Sequence, residues 1–495
     1  MYDIVIRNGL VVDGDGEAGV RADVAIQDGR IAAIGAVTGE ARRTIDATGR
    51  VVAPGFIDPH THFDAQLLWD GQARPALEHG VTSVIPGNCS LSLAPLRAAD
   101  RATVVGMFQQ IEEMPPEAFT EKYAKWTWED FAGYCATIEP DLAINVAPLV
   151  GHSLIRLWVM GADSQQRAAT PAEITAMQDL LRQCMRDGAI GLSTSFVDVD
   201  ANGRPVPSRF AQFDELDALC QVLGEEGGRM LQVVPEFYDA DITIARIDQL
   251  AELSLKHGIP TTFSPVFDSN ATPKSAPRIL DRVAEQVARG ARVGGEAMFG
   301  GLIVRGGDSA PQAYVGRRLG DIARERGEGA AEAVLNISRE NDLDVAFLAA
   351  NGGHHDTSRI GPMLANPLVH IGASDGGAHL ASFSTYGDTG YLFSEFVRKS
   401  GDFTLEQAVK KITADTADIW GLKDRGRLKP GLAADIVVFD ADTIDRLEER
   451  PVHDVPGNGM RYVRSATGVD VVLVNGAVAY ANGAYTDARS GAICG

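Results

Sequence analysis

Val51-Val52-Ala53-Pro54-Gly55-Phe56-Ile57-Asp58-Pro59-His60-Thr61-His62 is an apolar run, broken at Pro54-Gly55, that ends abruptly in His-x-His. Residues two apart on an extended strand share a face, so both imidazoles aim at one point where a buried strand emerges into solvent. Two converging neutral imidazoles suit a divalent metal such as Zn²⁺, which lowers the pKa of water toward about 7. The bland alternative is a pair of unrelated surface histidines. The preceding strand, the Pro-Gly break and the nearby Asp58 and Asp64 favour the metal.

Working outward, residues 54–426 alternate short apolar strands with helical stretches. Candidate strands are Val51–Ile57, Val81–Ile85, Ala143–Leu149, Ile190–Ser193, Met230–Val234, Thr261–Ser264, Val345–Ala349 and Val369–Ala373. Thr170-Pro171-Ala172-Glu173 has the N-cap, first-position proline and third-position Glu of a capping box, and predicts a helix to about Arg186. Thr404-Leu405-Glu406-Gln407 predicts another, ending near Trp420-Gly421. Eight strands alternating with helices predict an α/β fold, a (β/α)₈ TIM barrel. An insertion at about 266–343, between the sixth and seventh strands, is expected to cover the active site. Residues 1–53 and 427–495 read as short strands with hairpin signals at Asp28-Gly29 and Asn475-Gly476. Neither end has enough strands alone, so the two together are expected to form a small composite β-sandwich domain.

Catalytic groups in such barrels sit at the C-terminal strand ends. The first strand ends in His60-x-His62, the second in Pro86-Gly87-Asn88-Cys89-Ser90, the third in Gly151-His152-Ser153-Leu154-Ile155-Arg156, and the eighth in Ser374-Asp375-Gly376-Gly377-Ala378-His379. Asp375 is a candidate metal ligand and proton acceptor, against the alternative of a turn cap. His152 is a candidate for stabilising an oxyanion, and Arg156 for clamping a substrate carboxylate; both could instead be satisfied structural residues. His379 is a further substrate-binding candidate. His354-His355-Asp356 after the seventh strand lines either the mouth or a solvated loop, while His79, His257 and His453 read as ordinary surface or helix positions.

Hydrophobic residues make up 45% and charged residues 23%, the balance of a soluble globular protein. The net charge of −22 argues against a nucleic-acid or anionic-membrane partner. No apolar run reaches the roughly 18 residues of a membrane-spanning helix, and the N-terminus lacks a signal-peptide pattern. Five scattered cysteines fit a reducing cytoplasm better than a disulfide framework. Homo-oligomerisation stays open.

Pro54-Gly55-Phe56-Ile57-Asp58-x-His60-x-His62 and Gly426-Arg427-Leu428-Lys429-Pro430-Gly431-x-x-Ala434-Asp435 resemble signatures of the amidohydrolase superfamily. Gly87-Asn88-Cys89-Ser90-Leu91-Ser92-Leu93-Ala94-Pro95 and Val150-Gly151-His152 look like its N-acyl-D-amino-acid deacylase (D-aminoacylase) group. The resemblance implies a zinc hydrolase of a small-molecule amide, with Asp375 as proton shuttle and Cys89 as a metal ligand. The deacylases place a histidine after strand five and another after strand six. Here those stretches read Leu231-Gln232-Val233-Val234-Pro235-Glu236 and Thr262-Phe263-Ser264-Pro265-Val266-Phe267, with none. One Zn²⁺ ion on His60, His62 and Asp375 is therefore expected, a second site being incomplete, with Glu236 and Asp268 as candidate oxygen donors. Two alternatives remain: hydrolysis of a cyclic amide or lactone, and a non-catalytic ligand-binding descendant with a degenerate metal site.

Overall fold

The computed structural model describes residues 1–266, 275–297, 304–306, 314, 317, 319–340, 345–347, 357–372 and 374–494. Both chain ends enter one nine-stranded sheet. Tyr2–Val11 pairs with Val20–Gln27, which pairs with Arg30–Gly35 across the Asp28-Gly29 turn. Both turn residues have φ above zero, at 50° and 75°, the conformation that matches a tight hairpin to strand twist. Val51–Pro54 joins this N-terminal half to the C-terminal half, pairing parallel with Tyr2–Val11 and antiparallel with Ile436–Phe439. Ile6, Ile26, Val52, Ile436 and Leu473 share one buried cluster, so neither terminus holds its core without the other.

The central chain supplies parallel strands whose N–H and C=O groups pair in chain order. Phe56–Asp58, Val81–Val84 and Asn145–Val146 form one sheet. Leu149–Gly151, which prolongs the third strand from Asn145–Val146, forms another with the fourth to eighth strands, Gly191–Ser195, Met230–Val234, Thr261–Phe263, Val293–Glu296 and Val369–His370. Main-chain bonds cross between the sheets at both margins: Ala147 and Leu149 donate to Val84 and Pro86, and Thr61 bridges Gly376 in parallel register. Helices between strands bury Leu, Val and Phe side chains against the outer sheet faces. The capping box at Thr170 is present, with Glu173 Oε2 accepting from Thr170 N–H at 2.7 Å, and the helix runs Pro171–Arg186.

Three expectations are corrected. Val345–Phe347 is not a parallel strand; it pairs antiparallel with Val304–Gly306. The seventh parallel strand is Val293-Gly294-Gly295-Glu296, whose glycines resemble a loop in the sequence but mark close packing. A Cβ on Gly294 would stand 2.1 Å from His370 Nε2, and one on Gly295 2.2 Å from Val266 Cγ2. The range 266–343 therefore holds a crossover helix, Ser275–Ala288, and a sheet strand, and the long excursion follows Glu296 instead. Finally, the helix opened by Thr404 stops at Lys411 and a second spans Ala414–Trp420. The break falls where the Ile412 carbonyl accepts from Ile57 N–H at 2.9 Å instead of continuing the helical ladder.

Candidate active site

The first and eighth strands are laced together just beyond their ends. Asp375 N–H donates to the His60 carbonyl at 2.9 Å, and His62 N–H to the Gly376 carbonyl at 2.7 Å. Asp58 accepts from the Ser374 amide at 3.1 Å and from the Ser374 hydroxyl. Burial lifts the Asp58 carboxyl to about 7, with the Ser374 hydrogen bonds opposing the rise. Gly377 must lack a side chain, since its φ is +92° and a Cβ would lie 2.8 Å from the His62 carbonyl group. These constraints deliver the Asp375 carboxylate to the imidazoles, with Oδ1 at 3.1 Å from His62 Nε2 and 3.8 Å from His60 Nε2.

Cys89 arrives from the second strand. Gly87, at φ +88°, turns the chain where a Cβ would meet the Leu149 carbonyl oxygen at 2.4 Å. Asn88 pins the turn by donating to the Ile85 and Thr61 carbonyls at 2.7 and 3.3 Å. The Cys89 thiol then stands 3.4 Å from His60 Nε2 and 3.8 Å from His62 Nε2. Donor atoms of His60, His62 and Cys89 all lie within 4.8 Å of one another. Cys89 and Asp375 both hold positive φ, 54° and 61°, a costly backbone state for residues with side chains that recurs at functional sites.

Carboxylates that sequence reasoning missed surround these donors. Glu296, from the seventh strand, accepts from His60 Nδ1 at 2.8 Å. Glu112 follows the helix Arg101–Ile111 and places Oε1 3.0 Å from His62 Nδ1. Asp198, after the fourth strand, keeps one buried oxygen without a hydrogen-bond partner. Burial, reinforced by Asp375 and Asp198, pushes the Glu112 carboxyl well above its usual range. Burial and the Asp198 charge do the same to the Cys89 thiol. Asp375 goes the other way: burial raises it, but the hydrogen bond and charge of His62 outweigh that and hold it low. Two imidazole nitrogens, a sulfur and a carboxylate oxygen, set among buried acids that repel one another, fit a small divalent cation.

The remaining candidates separate. The His379 side chain is 38% exposed, with Nε2 3.6 Å from Asp375 Oδ2 and its ring stacked on Phe383. His152 is buried with both nitrogens engaged, Nδ1 with Thr194 Oγ1 at 3.0 Å and Nε2 with Glu215 Oε1 at 2.8 Å. Arg156 is fully buried, bonded to Glu215 and to the carbonyls of Ser164 and Arg167. Both ring nitrogens of His152 are therefore committed, and Arg156 keeps only a buried Nε without a partner. Glu236 is paired with Arg246 at 2.8 Å, which removes it as an oxygen donor to the cluster. Asp268 and His354-His355-Asp356 lie outside the described residues. His79 is a helix position, ending the short helix Ala76–His79, but it is buried, 3% exposed, and bonds the Arg464 carbonyl at 2.9 Å.

A parallel α/β scaffold with His-x-His at one strand end, a thiol at the next and a carboxylate at the last defines a metal-dependent hydrolase. The sequence matches the amidohydrolase family over residues 43–350 and 268–480, and the chain belongs to that family. It is a hydrolase of carbon–nitrogen bonds other than peptide bonds. The D-aminoacylase of Alcaligenes xylosoxydans xylosoxydans is 31% identical over 514 residues, covering 99% of this chain and 97% of that protein. The crystal structure of N-acyl-D-glutamate deacylase from Bordetella bronchiseptica, complexed with zinc and a phosphonate mimic of the tetrahedral intermediate, superposes with a TM-score of 0.76. It is 28% identical and the match covers 100% of this chain and 99% of that one. A D-aminoacylase structure bearing on a binuclear metal centre, with one-metal activation and second-metal attenuation, is likewise 28% identical, with a TM-score of 0.76 and full coverage of both chains.

Proposed function

We propose that the chain removes the acyl group from an N-acyl-D-amino acid, using one zinc ion held by His60, His62, Cys89 and Asp375. The observation that carries this reading is the convergence of the His60, His62 and Cys89 donor atoms, with Asp375 Oδ1 3.1 Å from His62 Nε2. The scaffold is read as a (β/α)₈ barrel, because the parallel strands pair in chain order and the Thr61–Gly376 bridge links the last to the first. The sheet built from both chain ends is read as the small β-sandwich. A single ion is favoured because the stretches after strands five and six carry no histidine and Glu236 is committed to Arg246.

His60, His62, Cys89 and Asp375 would hold a divalent cation, which when bound would supply polarisation of the scissile carbonyl and a more acidic attacking water. The chain's own residues handle geometry and the proton. Asp375 Oδ1 faces the imidazoles, while Oδ2 lies on the side of the half-exposed His379. Oδ2 is thus the oxygen that takes the proton from water and returns it to the departing amine nitrogen. His379, beside Oδ2 and stacked on Phe383, borders the route by which substrate enters.

The test is a substrate panel on zinc-loaded and chelator-stripped protein: N-acetyl-D- and L-amino acids, a hydantoin ring and a lactone. Hydrolysis of linear D-substrates, lost on stripping and restored by about one zinc per chain, is expected. Turnover of rings alone, or no turnover by metal-loaded protein, overturns the proposal.

A further inference from the structure

We infer that Glu296 is a positioning residue that fixes which nitrogen of His60 faces the cation, and that Thr262 in turn fixes Glu296. The inference rests on reading the His60–His62–Cys89 cluster as a metal site. An imidazole offers one nitrogen as a ligand only when the other carries its proton toward an acceptor. Glu296 Oε2 is that acceptor for His60 Nδ1 at 2.8 Å, which leaves Nε2 directed at Cys89. The second carboxylate oxygen does not swing free, because it accepts from Thr262 Oγ1 at 2.9 Å. All three side chains are at most 2% exposed and rise from the first, sixth and seventh parallel strands, so water does not compete for these bonds.

His62 is supported differently. Its Nδ1 lies 3.0 Å from Glu112 Oε1, but neither atom makes an aligned hydrogen bond. The rigid anchor of the pair is therefore His60, and its orientation comes from strands that contribute no ligand. The glycine pair before Glu296 serves this arrangement, because it lets the seventh strand pack closely against His370 and Val266.

Zinc affinity by chelator competition, the visible spectrum of the cobalt-substituted protein, and apo-protein melting separate this role from a merely structural one. Glu296→Ala should weaken zinc binding by about 10- to 100-fold and alter the cobalt spectrum, with apo-protein melting close to wild type. Glu296→Gln, which can still accept from Nδ1 but lacks the charge, should lose less, and Thr262→Val should fall between Gln and wild type. Wild-type zinc affinity in Glu296→Ala overturns the inference. If that variant does not fold, wild-type affinity and spectrum in both Glu296→Gln and Thr262→Val overturn it instead. Protein that binds zinc normally but cleaves no N-acyl amino acid would defeat the proposed function and leave this inference standing.

Discussion

Two buried histidine–carboxylate clusters in this molecule look alike on paper and differ in kind. Around His152, Glu215 receives the imidazole on one oxygen and the Arg156 guanidinium on the other, and Thr194 occupies the remaining ring nitrogen. Burial pushes the Glu215 carboxyl up, but His152 and Arg156 outweigh it and hold it low. Charge is paired there, and both ring nitrogens of His152 are committed. Around His60 and His62, the Nε2 atoms point at a thiol and a carboxylate, and Glu112, Glu296 and Asp198 add further buried carboxyl groups. A buried histidine becomes a candidate ligand when a ring nitrogen is left uncommitted among excess acids; burial or a carboxylate partner is not enough.

The sharpest way to break that contrast is at the proton carrier. Asp375→Asn should cut kcat by about 10³-fold or more in folded, zinc-bearing protein, within the range that general acid–base groups supply. A rate within threefold of wild type removes Asp375 from proton transfer. The closed cluster should respond in stability and not in metal content. Glu215→Ala leaves the Arg156 charge buried without its partner, which should cost about 3–5 kcal/mol in denaturant unfolding, while zinc per chain is unchanged. Loss of zinc in that variant would mean the two clusters are not separate.

A further buried imidazole extends the comparison, because His79 has a carbonyl partner in place of a carboxylate. Burial, helped by the nearby Arg446 and Arg464 charges, lowers its pKa to about 4 despite the bond to the Arg464 carbonyl. The unfolded chain takes up this proton near pH 6.5 and the native protein near pH 4. Stability from His79 is therefore full above pH 6.5 and lost as pH falls toward 4, by up to about 3 kcal/mol. Denaturation midpoints measured between pH 7.5 and 4.5 should fall less steeply in His79→Gln than in wild type; parallel slopes would refute the assignment. The smallest effect belongs to Thr194→Val, which removes one partner of His152 and should cost about 1 kcal/mol without changing turnover.

Much of the scaffold was legible because its signals are local. The Asp28-Gly29 hairpin, the Thr170 capping box and the strand carrying His-x-His each lie within a few residues of chain. The seventh strand was not, because Val-Gly-Gly-Glu lacks the bulk of a buried strand; only contact with His370 and Val266 explains its glycines. The same limit governs the site. His60, His62 and Asp375 could be named because each follows an apolar strand, and Cys89 because its stretch resembles that of the deacylases. Glu112, Asp198 and Glu296 lie on separate elements, and no apolar strand end or metal-ligand spacing marks them in the sequence.

The sequence by itself determined the alternation of strands and helices, the pairing of the two imidazoles on one face, and the absence of histidines after strands five and six. Only the tertiary structure decided that Arg156 and His152 face Glu215, that Glu296 and not Glu236 meets the site, and that Asp375 reaches His62. The reason is range. Side-chain direction on a strand follows from its two-residue period, whereas the partner of a buried charge is chosen by packing between segments tens to hundreds of residues apart.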